Sequence, residues 1–183
     1  MAKAWPIPGL GPDTRFGDAA AAAVEVRAAE VFAHSAGVLD TEDIERVHAM
    51  RVSTRRLRAA LEVFAVCFPR QEHKGVLREV KDLADALGRR RDPDVALLAL
   101  ADAAAELTRA DRSGIKSLSA ELRAEQESGN AGLQGALDRA RESKLEERLA
   151  ALARAARQVE VEVEVEVEVE VSTSAQAQAE ATP

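Results

Sequence analysis

The stretch Val47-His48-Ala49-Met50-Arg51-Val52-Ser53-Thr54-Arg55-Arg56-Leu57-Arg58 carries four arginines and one histidine and not a single acid. Unpaired guanidinium groups are too costly to bury, so the segment has to lie at a surface. Wound as an α-helix it advances about 100° per residue, which gathers His48, Arg51, Arg55 and Arg58 within an arc of roughly 80°. Met50, Leu57, Leu61 and Phe64 fall on the opposite side, while Arg56 leaves the stripe toward its flank. One face is suited to a core and the other to an anion, with cationic heads about one turn apart. A solvated charged face normally mixes signs and gains i,i+4 pairs, but no acid stands between Arg46 and Leu61 to supply one.

Composition fits a helical setting. The chain of 183 residues has 3% aromatic content and no Tyr, and is rich in alanine, which favours helices packed through small and aliphatic side chains over a strand-rich fold. Its length suits one domain with a buried core. The lone Cys67 cannot form an internal disulfide, fits a reducing compartment, and is expected to be a buried thiol. The longest apolar run, Val95 to Ala101, is far short of the ~20 residues needed to span a bilayer. The first twelve residues lack the features of a signal peptide, so a soluble cytoplasmic protein is expected.

A net charge of -7 at first argues against an anionic ligand. Every Lys and Arg, however, lies at or before Arg157, and Glu160, Glu162, Glu164, Glu166, Glu168, Glu170 and Glu180 follow, so residues 1–158 sum to -7 + 7 = 0. The acidity belongs to the tail, and the positive charge of the remainder is gathered locally.

Three units follow along the chain. Residues 1–13, with three prolines and two glycines, read as an extended arm with Trp5 as its only anchor. Residues 14–158 read as an all-α, antiparallel bundle of about six helices. The first spans roughly Thr14 to Ala36, ended by Gly37, and the second starts near Thr41 and stops before Pro69. The third runs from about Glu72 to Leu87, closed by Gly88, with Arg78 and Lys81 on one face. In the fourth, Asp92 would cap, Pro93 would occupy the first turn and Asp94 would complement the dipole, and it would continue to about Ala110. Ser113–Ser128 and Leu133–Gln158 complete the set, separated by Gly129, Asn130 and Gly132. Arg141, Lys144 and Arg148 would form a second, weaker basic stripe among Glu142, Glu146 and Glu147.

Residues 159–183 form the third unit. Strict Val-Glu alternation from Val159 to Val171 has the period of a strand, but no partner strand exists and aligned glutamates repel. Disorder or a local continuation of the preceding helix is expected, within a low-complexity segment. An anionic tail of this kind could compete for the basic face.

The residues from His48 to Phe64 read HxxRVxxRRLRxxLxxF, and Leu87 to Val95 read LGxxRDxDV about 25 residues later. Together, in this order, they resemble the CHAD (conserved histidine α-helical) domain family, over about residues 15 to 155. The resemblance implies an all-α fold that binds inorganic polyphosphate on a basic surface without chemistry of its own, with no cofactor, no metal and no membrane partner. It implies a site of His48, Arg51, Arg55, Arg56, Arg58, Arg78, Lys81 and Arg91, and no catalytic residue. Association with polyphosphate granules is a further implication. A full domain of this family has two similar bundles, each with its own basic helix, whereas HxxR occurs once here. Either the half-domain forms a homodimer that rebuilds a two-sided channel or it is a truncated remnant.

Arginine suits such a ligand, since guanidinium groups form paired, charge-assisted bonds with phosphate at any physiological pH. At ~1.5–3 kcal/mol per bond, about five contacts would supply roughly 8–15 kcal/mol gross, compatible with micromolar affinity after the costs of association. A bound polyanion would favour a charged His48, so affinity is expected to rise as pH falls. A phosphate-ester or triphosphate enzyme is the competing class, but no nucleophile, base or metal cluster is evident. Asp92 and Asp94 could form a metal-binding pair, although capping accounts for them. His34 and His73 lack zinc-like spacing and are expected at the surface. A nucleic-acid backbone binder would use the same arginines, yet aromatics for stacking on bases are scarce.

Overall fold

The computed structural model describes residues 3–106 and 112–159. The order is α1 (Phe16–Ala33), α2 (Ile44–Val63), a 3-10 turn (Ala65–Cys67), α3 (Arg70–Glu106), α4 (Arg112–Glu142) and α5 (Leu145–Ala156). The all-α reading holds, and no strand occurs among the described residues. The Val-Glu segment after Val159, and the expectations placed on it, lie outside them.

The helix boundaries differ from those read in the sequence. The third and fourth expected helices are one, α3, 37 residues long with Pro93 inside it. Asp92 is therefore not a cap. Pro93 has no N–H to give the carbonyl of Arg89 four residues earlier, yet the helix continues, because α4 crosses there. A Cβ built on Gly129 would lie 3.0 Å from the Arg89 carbonyl oxygen and 3.0 Å from the Arg90 Cα. Gly129 thus sits inside α4 as a contact point and does not end a helix. The break falls instead at Lys144, whose left-handed backbone (φ 55°, ψ 45°) separates α4 from α5. Two contacts with α3 hold it there: Ser143 Oγ donates to Glu79 Oε2 at 2.6 Å, and Arg148 pairs with Glu79 Oε1. Arg141, Lys144 and Arg148 consequently do not share a helix face. They pair with Asp138, Glu147 and Glu79 respectively.

Alanine builds α1, and small side chains let its neighbours approach on two sides: Ala20, Ala21, Val24, Ala28 and Val31 are buried against α2 and α5. Met50, Leu57 and Leu61 from α2, Val76, Val80 and Leu87 from α3, Leu133 from α4, and Leu149 and Ala153 from α5 complete one core. Cys67 is buried in it, as expected, and burial pushes its thiol pKa up. Phe16 meets Phe64 with ring centroids 5.0 Å apart, which brings the start of α1 to the end of α2. The chain after α5 returns to the same place: a Cβ on Gly17 would meet the Ala156 carbonyl oxygen at 2.3 Å, and Arg157 makes a two-pronged contact with Glu25 at 2.7 Å. The N-terminal arm is anchored by the backbone of Trp5, not its indole. Its N–H donates to Glu30 and its carbonyl accepts from Arg27.

His73 is a correction. It is buried, stacked on Phe68, and donates its Nε2–H to the Leu61 carbonyl at 2.9 Å. The ring satisfies a carbonyl near the end of α2, a role that spacing alone does not reveal. From Val95 onward α3 loses its buried stripe. Val95 and Leu98, with Leu118 of α4, are about half exposed, so the distal parts of α3 and α4 form a two-helix projection from the core.

Candidate functional site

Helix α2 lies between α1 and α3, with Val47, Met50, Leu57 and Leu61 inward. That leaves Arg51, Arg55 and Arg58 exposed and His48 half-buried on the other side, as the helical period requires. Pairs along the neighbour fix the register as antiparallel: His73 meets Leu61, Lys81 meets Glu62 and Arg91 meets Glu45. From Glu45 to Glu62 this face is about 25 Å long at 1.5 Å per residue.

Glu62 organises one end. Arg58 Nε approaches it at 3.0 Å and Lys81 Nζ at 3.1 Å, so one carboxylate draws together cations from two helices. Hydrogen bonds from Arg58, then Lys81, hold the Glu62 carboxyl below the usual carboxylate range. The i+4 acid absent before Leu61 is supplied by the next residue. Glu62 makes Arg58 and Lys81 a positioned pair, at the expense of part of their positive field. In contrast Arg51, Arg55 and Arg78 are exposed and form no ion pair among the described residues.

Arg56 and Arg91 are placed differently. Arg56 turns toward α1 and lies 3.5 Å from Glu30, a fully buried carboxylate that also binds Arg27 and the Trp5 N–H. The pair ties α2 to α1 and the N-terminal arm. Arg91 is largely enclosed, 3.9 Å from both Glu45 and Asp94. It reaches the far end of the face but spends its charge mainly inside.

The residue beside it has a role that no sequence pattern signals. Arg90 is fully buried, bonded to Asp94 and, through Nε at 2.9 Å, to Asn130 Oδ1. Asn130 in turn donates to the Leu39 carbonyl at 2.7 Å, and Gln126 donates to Asp94 Oδ1 at 2.6 Å. This network, not helix capping, is the role of Asp94. Its paired charge and the exposed position of Asp92 argue against the two acids forming one metal site. Arg89 lies beyond Leu87, where the sequence pattern places the end of the third helix. On the continuous α3 it is exposed and lies about 20° from Arg78 around the axis. Asp82 and Asp85 share that surface, so the α3 side has mixed charge, whereas α2 is free of acids from Val47 to Leu61 and carries them only at the ends of the face, Glu45 and Glu62.

The antiparallel α2 and α3 bring the HxxR stripe beside the RDxDV segment, which lies in the interior of helix α3. The CHAD domain family model matches residues 22–181. The chain belongs to the CHAD family. No curated protein and no solved structure matches it. In this CHAD domain the motif arginines thus divide into two sets: Arg51, Arg55 and Arg58 face outward, and Arg56 and Arg91 brace the helices that carry them.

No enclosed pocket is needed for such a face. One recess, of about 640 Å³, lies away from it, bounded by Phe32, Met50, Leu137 and Lys144. No group of three or more His, Cys, Asp or Glu side chains among the described residues could hold a metal ion. No described helix is long and apolar enough to cross a membrane.

Proposed function

We propose that this CHAD domain binds inorganic polyphosphate along the α2–α3 face, without catalysing a reaction on it. The observation that carries this reading is the exposure of Arg51, Arg55 and Arg78 without acid partners among the described residues, next to the positioned pair Arg58 and Lys81. A linear polyphosphate offers charge and acceptor oxygens at every unit, and repeated guanidinium donors at one-turn spacing match it better than they match a compact phosphate ester. His48 contributes a further donor at the end of the stripe, while Arg56 and Arg91 act chiefly by holding α2 in place.

The test is calorimetric titration with long-chain polyphosphate, comparing the wild type with Arg51→Ala/Arg55→Ala. Losing two charge-assisted contacts of ~1.5–3 kcal/mol each predicts affinity weaker by about 10²-fold or more. Unchanged affinity in a folded double variant would remove the proposal. The same protein distinguishes the other classes: duplex DNA displacing polyphosphate at equal phosphate concentration would favour a nucleic-acid backbone binder, and phosphate release with added divalent metal would favour an enzyme.

A homodimer is a second element of the reading. Among the described residues the projection formed by distal α3 and α4 has two helices to share its aliphatic side chains, and Val95, Leu98 and Leu118 are left about half exposed. A second copy would complete a four-helix layer there and bring two basic stripes to one polyanion. Light scattering of the wild type and Leu98→Glu tests it; a monomer in both cases would exclude it.

A further inference from the structure

We infer that the Val-Glu tail of this chain is an internal competitor for the α2–α3 basic face, occupying it when no polyphosphate is bound. The inference rests on the binding reading above and adds a regulation to it.

Three observations meet here. The tail is a polyanion: Glu160, Glu162, Glu164, Glu166, Glu168 and Glu170 recur at every second residue, with no Lys or Arg after Arg157. The face has positive charge to spare, since Arg51, Arg55 and Arg78 have no ion-pair partner among the described residues. The third is the point of departure. A Cβ on Gly17 would stand 3.1 Å from the Val159 carbonyl oxygen, and the adjacent Phe16 touches Phe64, the residue that caps α2. The tail therefore starts at the end of the bundle where Arg58 lies, not at the end where Arg91 lies.

Distance permits the contact. Arg58 is six residues before Phe64, about 9 Å along the helix, and one helix diameter of ~10 Å separates neighbouring axes, so the gap to be crossed is on the order of 20 Å. Ten residues of chain can span up to ~35 Å. Glutamates two apart in an extended chain recur at about 6.8 Å, close to the one-turn interval of the arginines. Carboxylate–guanidinium pairing is the same charge-assisted chemistry that would hold phosphate, but each carboxylate is individually weaker in solvent, so a tethered polyanion competes without blocking. Tethering supplies an effective concentration on the order of millimolar. A tail with a submillimolar intrinsic dissociation constant would then weaken apparent polyphosphate affinity by about 3–10-fold.

The experiment uses the full-length chain in three forms. In one, residues 160–171 are replaced by a Gly-Ser sequence of equal length; in another, Val161, Val163, Val165, Val167 and Val169 are changed to Gly with all glutamates kept; the third is the wild type. Long-chain polyphosphate affinity is measured at low and moderate salt, and amide chemical shifts of α2 are recorded without ligand. The expected result is about 3–10-fold tighter binding by the Gly-Ser form, a difference that shrinks with salt, and near wild-type affinity for the form that keeps its glutamates. Amides from Arg51 to Arg58 should differ between the Gly-Ser form and the other two. Equal affinity in all three forms overturns the inference while leaving polyphosphate binding intact. Tighter binding with identical α2 spectra also overturns it, because long-range repulsion would then suffice. No binding by any form removes the proposed function and this inference with it.

Discussion

Asp94→Ala should destabilise this protein severely. Asp94 is buried and accepts hydrogen bonds from Arg90, itself fully buried, and from Gln126. The substitution leaves a guanidinium in the core with no counter-charge and takes an acceptor from Gln126. Breaking a buried ion pair by removing one partner costs about 3–5 kcal/mol. Two lost bonds to a charged acceptor, at ~1.5–3 kcal/mol each, give a similar figure. For a domain of this size each kcal/mol lowers Tm by about 2–4 °C, so a drop of roughly 6–20 °C is expected. Urea unfolding followed by circular dichroism measures the change directly. Arg90→Met/Asp94→Leu is the informative companion, since replacing both charges with apolar groups avoids the uncompensated guanidinium and should cost clearly less than Asp94→Ala alone. A cost below about 1 kcal/mol for the single change, or a double variant equal to the sum of the two singles, would refute the reading that this pair acts as a buried unit.

Gly129→Ala should destabilise by about 1–3 kcal/mol, because its Cβ would press on the α3 backbone at Arg89 and Arg90, whereas Gly132→Ala, with open space around it, should be neutral or stabilising by up to ~1 kcal/mol; denaturant midpoints compare them. Glu62→Gln frees Arg58 and Lys81 and removes a negative charge from the face, so polyphosphate should bind about 3–10-fold more tightly by titration calorimetry; weaker binding would mean that Glu62 is needed to position the pair. Acid unfolding has a defined sign. Hydrogen bonds from Arg15 to Asp18, from Arg157 to Glu25 and from Arg58 to Glu62 lower the pKa values of these carboxyls from ordinary values of 3.8, 4.5 and 4.5. Their stabilisation is fully present above those ordinary values and is lost as pH falls through the lowered ones, so the thermal midpoint should decline below about pH 4, less steeply in high salt.

Much of the site was legible because it depends on one helix. A period of 3.6 residues is enough to separate Arg51, Arg55 and Arg58 from Met50, Leu57 and Leu61, and no tertiary contact reverses it. The all-α class followed equally locally, from alanine content and the scarcity of aromatic residues. Local signals misled where glycine and proline were read as boundaries. Pro93 and Gly129 interrupt isolated helices, but here Gly129 packs on the α3 backbone at Arg89 and Arg90, within a turn of Pro93, and packing outweighs a propensity cost of about 1–3 kcal/mol.

The amino-acid sequence by itself determined the helical class, the burial of Cys67, the confinement of net negative charge to the tail and the acid-free basic stretch of α2 from His48 to Arg58. These are properties of composition or of neighbours three and four residues apart, and they need no knowledge of the rest of the chain. Only the tertiary structure decided which arginines remain available. Arg56 is engaged by Glu30, 26 residues away, and Arg90 by Asp94 and by Asn130, 40 residues away. Burial raises the energetic cost of leaving a charge unpaired, so whether an arginine is a brace or a ligand-binding group depends on which acid the fold delivers to it.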